Sequence, residues 1–231
     1  MSMLLSVRAM ESGTWHRSVS FDVPTGDVVV LLGRNSSGKT TLLNTIAGLL
    51  PVRAGEILID NADVTAMDSI GRVRKGVRIA VEGRHVFPRL AVKRNLLLGA
   101  YGTTKRDAES RLDTVLHVFP DLVSKLDSLA WSLSGGQQTM LNVGRALMGE
   151  PRLLLLDEPM LGLDPQNTRK LITALRHIRG LRDIGVVVAE QSAVFARSFP
   201  ERVMLMNGGE ILFDGSLGAV TRSAALAEII V

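Results

Sequence analysis

The stretch Val28-Val29-Val30-Leu31-Leu32-Gly33-Arg34-Asn35-Ser36-Ser37-Gly38-Lys39-Thr40-Thr41 constrains this chain more than any other. Its apolar, largely β-branched opening reads as a buried strand, and a helix is expected from about Lys39. Between them lies the pattern G-x-x-x-x-G-K-[ST], the phosphate-binding P-loop. Gly33 and Gly38 let the backbone curl, so that N–H groups from Arg34, Asn35, Ser36, Ser37 and Thr41 can face one concavity suited to an anion. The helix start adds its positive dipole end and unpaired N–H groups. Lys39 is placed to reach the β- and γ-phosphates of a nucleotide, and the Thr40 hydroxyl to hold Mg²⁺.

Around this loop the chain alternates strand and helix patterns, which predicts an α/β fold with a mostly parallel, doubly covered sheet. Short strands are expected at Met3–Arg8 and Trp15–Val23, with a turn near Glu11-Ser12-Gly13. The helix after the P-loop is expected to run to Leu50, with Leu42, Leu43, Ile46 and Leu49 on one stripe. Strands follow at residues 55–60 and 77–82. From Val92 to about Leu129 the spacing is helical, with Leu112, Val115, Leu116 and Phe119 on one face. Residues 87–148 therefore read as a helical subdomain inserted between two parts of a core, residues 1–86 and 149–231. Leu153–Leu156 and Val186–Ala189 are continuous apolar strands, as expected where both sheet faces are covered. Asp164 and Pro165 fit the N-cap and first position of a helix. Residues 202–207 and 210–214 suggest a hairpin across Gly208-Gly209.

Leu153-Leu154-Leu155-Leu156-Asp157-Glu158 delivers two carboxylates at the carboxyl end of a buried strand, where a parallel sheet also presents its P-loop. Asp157 can hold Mg²⁺ and Glu158 can act as general base on a water. Ser134-Gly135-Gly136-Gln137 opens a further helix and makes a second anion-receptive backbone end.

Together these motifs resemble the ABC-type ATPases, the nucleotide-binding subunits of ATP-driven transporters. The resemblance covers nearly the whole chain: Walker A at Gly33–Thr40, signature at Leu133–Gln138, Walker B at Leu153–Glu158, D-loop at Leu161-Gly162-Leu163-Asp164. It implies a P-loop NTPase (RecA-like) core with an N-terminal antiparallel β-subdomain and the helical insertion. It also implies ATP and Mg²⁺ as ligands, and a second ABC subunit, identical or different, whose signature covers the nucleotide. Ser134, Gly135, Gly136 and Gln137 would then act in trans. Val81-Glu82-Gly83-Arg84-His85-Val86-Phe87-Pro88-Arg89-Leu90 and Ala189-Glu190-Gln191 resemble the branched-chain amino acid importer group and the related urea and amide importers. Glu82, where most of the family has glutamine, is implied as a sensor of Mg²⁺ and the lytic water. Gln191 stands where most members have a histidine on the γ-phosphate; it can donate a hydrogen bond but carries no proton or charge. Ser36-Ser37, Arg34, Met160 and Lys93-Arg94 depart from the family pattern. An aromatic upstream of the P-loop stacks on adenine in the family; spacing points to Met10, and a short gap brings Trp15 there instead. Permease subunits are implied as partners, with Phe87 and Pro88 near their contact surface, and a solute-binding protein indirectly. A weakly hydrolytic switch in a heterodimer is the alternative.

Composition narrows the setting. The chain has 231 residues and no cysteine, so disulfides and thiolate metal sites are excluded. No apolar run approaches the roughly 18 residues of a membrane span, and the first ten residues lack the apolar core of a signal peptide. The resemblance thus implies a peripheral protein on the cytoplasmic face of the membrane. Lys and Arg exceed Asp and Glu by 27 to 23 without a long basic run, which suits scattered surface charge and no nucleic-acid partner. His16, His85, His117 and His177 read as ordinary surface or loop residues.

Overall fold

The computed structural model describes residues 2–13, 17–83, 85–181, 184–198 and 202–222. In chain order its strands are β1 (Met3–Ser12), β2 (Val19–Pro24), β3 (Val28–Leu32), β4 (Val52–Ile59), β5 (Ala62–Asp63), β6 (Val77–Ala80), β7 (Leu153–Asp157), β8 (Gly185–Glu190), β9 (Val203–Asn207) and β10 (Glu210–Gly215). Its α-helices are α1 (Lys39–Ile46), α2 (Ser69–Arg74), α3 (Val92–Leu98), α4 (Lys105–Val118), α5 (Gly135–Leu147), α6 (Pro165–Leu181), α7 (Ala193–Ser198) and α8 (Leu217–Arg222).

The strands form two sheets. The larger runs β10-β9-β3-β8-β7-β6, and all its pairings are parallel except the β9–β10 hairpin. The smaller, β2-β1-β4-β5, is antiparallel throughout.

Alternation along the central strands explains their unbroken apolar runs. Val28, Val30, Leu32, Leu154, Leu156, Val186 and Val188 pack toward the helical side, with Leu96, Val115, Phe119, Leu141, Leu171, Leu175 and Ile178. Val29, Leu31, Leu153, Leu155, Val187 and Ala189 turn the other way, onto Leu42, Leu43 and Ile46 of α1 and onto the small sheet. Successive strand residues face opposite sides, so a strand buried on both must be apolar at every position. Each fully buried Leu, Ile or Val here contributes roughly 1.5–3 kcal/mol of transfer free energy.

Several boundaries differ from the sequence pattern: β2 begins at Val19, β4 at Val52, and β6 ends at Ala80. Helix α1 stops at Ile46, because Gly48 takes φ +74° and the Leu49 and Leu50 N–H groups both turn back to the Asn44 carbonyl. Leu49 is consequently 51% exposed and leaves the apolar stripe. Strand β1 continues past Arg8 to Ser12 through a bulge at Ala9 (φ +44°), where Gly55 supplies the close approach: a Cβ there would lie 2.3 Å from the Ala9 carbonyl. Between Val92 and Leu129 the chain is broken into α3, α4 and a 3₁₀ turn at Pro120–Lys125. Among the described residues no helix is long and apolar enough to cross a membrane.

Candidate functional site

Strand β3 ends at the sheet's carboxyl edge and hands the chain to the P-loop. Gly33 N–H donates to the Glu190 carbonyl at the end of β8, which fixes where the loop begins. Gly38 is the N-cap of α1 at φ +106°, and Ser36 holds φ +65° without being glycine. Ser36 is therefore a strained position, since a Cβ disfavours left-handed backbone. Arg34, Asn35, Ser36 and Thr40 are exposed, Gly38 and Thr41 are half-buried, and Ser37 is buried with its hydroxyl lacking a partner.

Lys39 is 3% exposed and folds back over the loop. Its Nζ donates to the carbonyls of Gly33 (2.8 Å) and Arg34 (3.1 Å) and sits 3.3 Å from Glu158 Oε1. Thr40 donates to Asp157 Oδ1 at 3.2 Å, closing one corner between the P-loop helix and β7. Asp157 Oδ2 is buried without a partner. Burial raises the Asp157 carboxyl above its ordinary range; Glu82 and Glu158 add to this, while the Thr40 hydrogen bond and Lys39 oppose it. Glu158 follows at φ +43°, its N–H donating to the Ala189 carbonyl. Left-handed backbone at a non-glycine residue costs on the order of 1–3 kcal/mol and recurs at functional sites.

Gln191 is exposed and shares with Arg34 and Glu158 a cleft of about 680 Å³. Glu82 is exposed, and its charge acts on Asp157. Lys39, Thr40, Asp157, Glu158, Glu82 and Gln191, far apart in sequence, therefore occupy one neighbourhood. Trp15 lies outside the described residues. Met10, the position that spacing favours, is fully buried and offers no face to a ligand.

Ser134 to Gln137 belong to a different part of the surface, and no hydrogen bond or ion pair among the described residues joins them to the P-loop. Ser134 caps α5 with a full capping box: its hydroxyl accepts from Gln137 N–H, and Gln137 Oε1 accepts from Ser134 N–H. Asp164 caps α6 by accepting from Gln166 and Asn167 N–H groups, and the Asn167 bonds hold its carboxyl below the ordinary range. A Cβ on Gly136 would lie 2.4 Å from the Asn167 side chain, which also bonds Asp164. Ser134, Gly136 and Asp164 are thus stitched into one unit.

Sequence reasoning missed a polar lock between α5 and the segment after β6. Asn142 donates to the Val81 carbonyl, and Arg145 donates to the His85 carbonyl and to Asn142 Oδ1 while its guanidinium lies 5.3 Å from the Phe87 ring centre. Asn95 brackets Phe87 by accepting from its N–H (2.8 Å) and donating to its carbonyl (3.0 Å). Phe87 itself is 50% exposed. An asparagine and an arginine on the apolar face of α5 were the available signal.

A buried, unpartnered Asp157 oxygen beside the Thr40 hydroxyl fits a hard cation. Mg²⁺ sites of this kind use one or two carboxylates and complete their shell with phosphate oxygens and water.

Comparison with known proteins agrees with this geometry. The family model described as "ABC transporter" matches residues 16–161. The chain is 38% identical over 202 residues to the high-affinity branched-chain amino acid transport ATP-binding protein BraG of Pseudomonas aeruginosa, covering 87% of this chain and 86% of that protein. It is 29% identical over 198 residues to the probable branched-chain amino acid transport ATP-binding protein LivF of Archaeoglobus fulgidus, covering 86% and 84%. Among solved structures, a nucleotide-free ATP-binding cassette from an ABC transporter superposes with a TM-score of 0.88 at 23% identity, over 99% of both chains.

Proposed function

The chain belongs to the ABC transporter family, and on that premise we propose that it hydrolyses ATP to drive a membrane importer for branched-chain or related amino acids. The observation that carries this reading is the convergence of Lys39, Thr40, Asp157 and Glu158 at the carboxyl edge of one sheet. The solute part rests on the likeness to BraG and LivF and on Glu82 and Gln191.

Each described residue takes a role its position supports, and Trp15 one that rests on the family resemblance alone. The N–H groups of Arg34, Asn35, Ser36, Gly38 and Thr41 cradle the phosphates, while Gly33 and Ser37 shape the loop through their N–H bonds to the Glu190 and Arg34 carbonyls. Lys39 exchanges the two backbone carbonyls and Glu158 for phosphate oxygens, which frees the Glu158 carboxylate. Glu158 then takes the proton of the attacking water. Gln191 donates to the γ-phosphate, and Glu82 orients the water. Thr40 and Asp157 hold Mg²⁺ with Glu82 nearby; when bound, the ion neutralises phosphate charge. Trp15 is the platform for adenine. A second subunit supplies Ser134, Gly135, Gly136, Gln137 and Asp164. Phe87 and Pro88 face the permease on the cytoplasmic side of the membrane, and a solute-binding protein acts through that permease.

The test is Glu158→Gln. ATP affinity is expected to persist while kcat falls by about 10²-fold or more, the range for loss of a general base. Undiminished turnover removes Glu158 from that role. A second reading, a switch that binds nucleotide while a paired subunit hydrolyses, is favoured by the strained Ser36 and the uncharged Gln191. Strong turnover by this chain alone eliminates it.

A further inference from the structure

Glu190 has no role in the sequence pattern beyond its place in Ala189-Glu190-Gln191, yet it is 4% exposed and burial pushes its carboxyl up. It closes β8, the strand lying between the P-loop strand β3 and the carboxylate strand β7. Its two ends point to different machinery. The Glu190 carbonyl accepts from Gly33 N–H at 3.3 Å, where the P-loop begins. The Glu190 side chain accepts through Oε1 from Met160 N–H at 3.0 Å, two residues beyond Glu158. The segment from Glu158 to Leu163 otherwise turns upon itself, with Leu161 N–H donating to the Glu158 carbonyl and Leu163 N–H to the Met160 carbonyl. Gly162 at φ +69° completes the turn, and Asp164 then starts α6.

From this arrangement we propose that Glu190 is a positioning residue: its carboxyl holds the Met160–Leu163 turn in register with the P-loop and thereby sets the place of Glu158 on one side and of Asp164 on the other. The proposal rests on the ATPase reading given above. Glu158 keeps an unfavourable left-handed backbone, with its N–H on the Ala189 carbonyl and its carboxylate beside the buried Lys39 ammonium, and the turn that follows it is what the Glu190 side chain holds. A rigid acceptor two residues on makes that conformation the one the chain keeps. The charged groups around the Glu190 carboxyl are Lys39 from α1 and Glu158 after β7, with Arg34 and Arg197 on the walls of the same cleft. Burial and the nearby Glu158 lift the carboxyl to about 7, against the pull of Lys39 and of the Met160 N–H. The Met160 bond needs an acceptor, which the side chain provides in either protonation state, so a neutral amide of the same shape serves.

The experiment compares Glu190→Gln, Glu190→Ala and Glu190→Met in the full chain by steady-state ATPase kinetics, with equilibrium binding of a non-hydrolysable ATP analogue alongside. Glu190→Ala is expected to lower kcat by about tenfold or more while KM and analogue affinity stay within about threefold, and Glu190→Gln to return kcat to within about threefold of the wild type. Should the alanine variant fail to fold, Glu190→Met fills the space without offering an oxygen and takes its place in the comparison. The proposal falls if the variants lacking an acceptor keep wild-type kcat, if analogue affinity falls with kcat, or if glutamine is as poor as alanine. A wild-type chain that binds the analogue but never turns ATP over overturns the ATPase reading and this inference with it.

Discussion

At Gly33 any Cβ would lie 2.4 Å from the Met206 carbonyl and 2.6 Å from Ser37 Oγ. Neither neighbour can retreat cheaply, since Met206 is part of β9 and Ser37 is buried inside the loop. Gly33→Ala is therefore expected to cost about 2 kcal/mol or more, as strain and overpacking do, read as a lower urea midpoint. The carboxyls of the site make a second prediction at this scale. Lys39 faces Asp157, Glu158 and Glu190, all buried, so negative charge is in excess. Glu190, at about 7 against an ordinary 4.5, holds its proton more tightly folded than unfolded. Its contribution to stability is whole below about pH 4.5 and is lost as pH rises through 7; Asp157 is shifted in the same direction. Unfolding free energy is expected to fall between pH 5 and 8, on the order of 2–3 kcal/mol from Glu190, and Glu190→Gln to flatten that slope in urea titrations at the two pH values.

Secondary-structure elements explain which parts of the fold could be read ahead of the structure. The ends of α5 and α6 were legible because Ser134, Gln137, Asp164 and Pro165 carry their capping chemistry locally. The β7 and β8 runs were legible because doubly buried strands admit no polar residue before their ends. What local pattern could not reveal was closure at a distance. Leu49 keeps the helical spacing but lies beyond the turn at Gly48, and the β1 bulge at Ala9 depends on Gly55 across the sheet. The burial of Glu190 depends on β3 and β7 lying on its two sides, and the bonds of Asn142 and Arg145 depend on Val81 and His85, which are about 60 residues away. The cap of α5 also separates two roles of one hydroxyl. Aspartate caps as well as serine, so Ser134→Asp is expected to keep stability within about 0.5 kcal/mol. Its carboxylate would oppose the γ-phosphate of a nucleotide held by a partner, and ATPase activity is expected to fall at least about tenfold. Retained activity with a normal melting temperature would detach Ser134 from the nucleotide.

For the molecule as a whole, the unit formed by Ser134, Gly136, Asn167 and Asp164 makes the proposed partnership a single docking event. The Glu158→Gln chain, mixed with ATP and Mg²⁺, is expected to double its mass in light scattering, and to return to a monomer when the nucleotide is removed; a mass that ignores ATP argues against shared sites. The strand order has its own consequence. Neighbouring strands lie roughly 4.8 Å apart, so inserting β8 between β3 and β7 separates the P-loop from the Asp157 strand by about 10 Å at the backbone. Adjacent strands would halve that width and leave no room for a phosphoryl group, its cation and a water abreast. β8 thus serves as a gauge block for the proposed reaction chamber, with Glu190 at its end and Gln191 just beyond, on the cleft shared with Arg34 and Glu158.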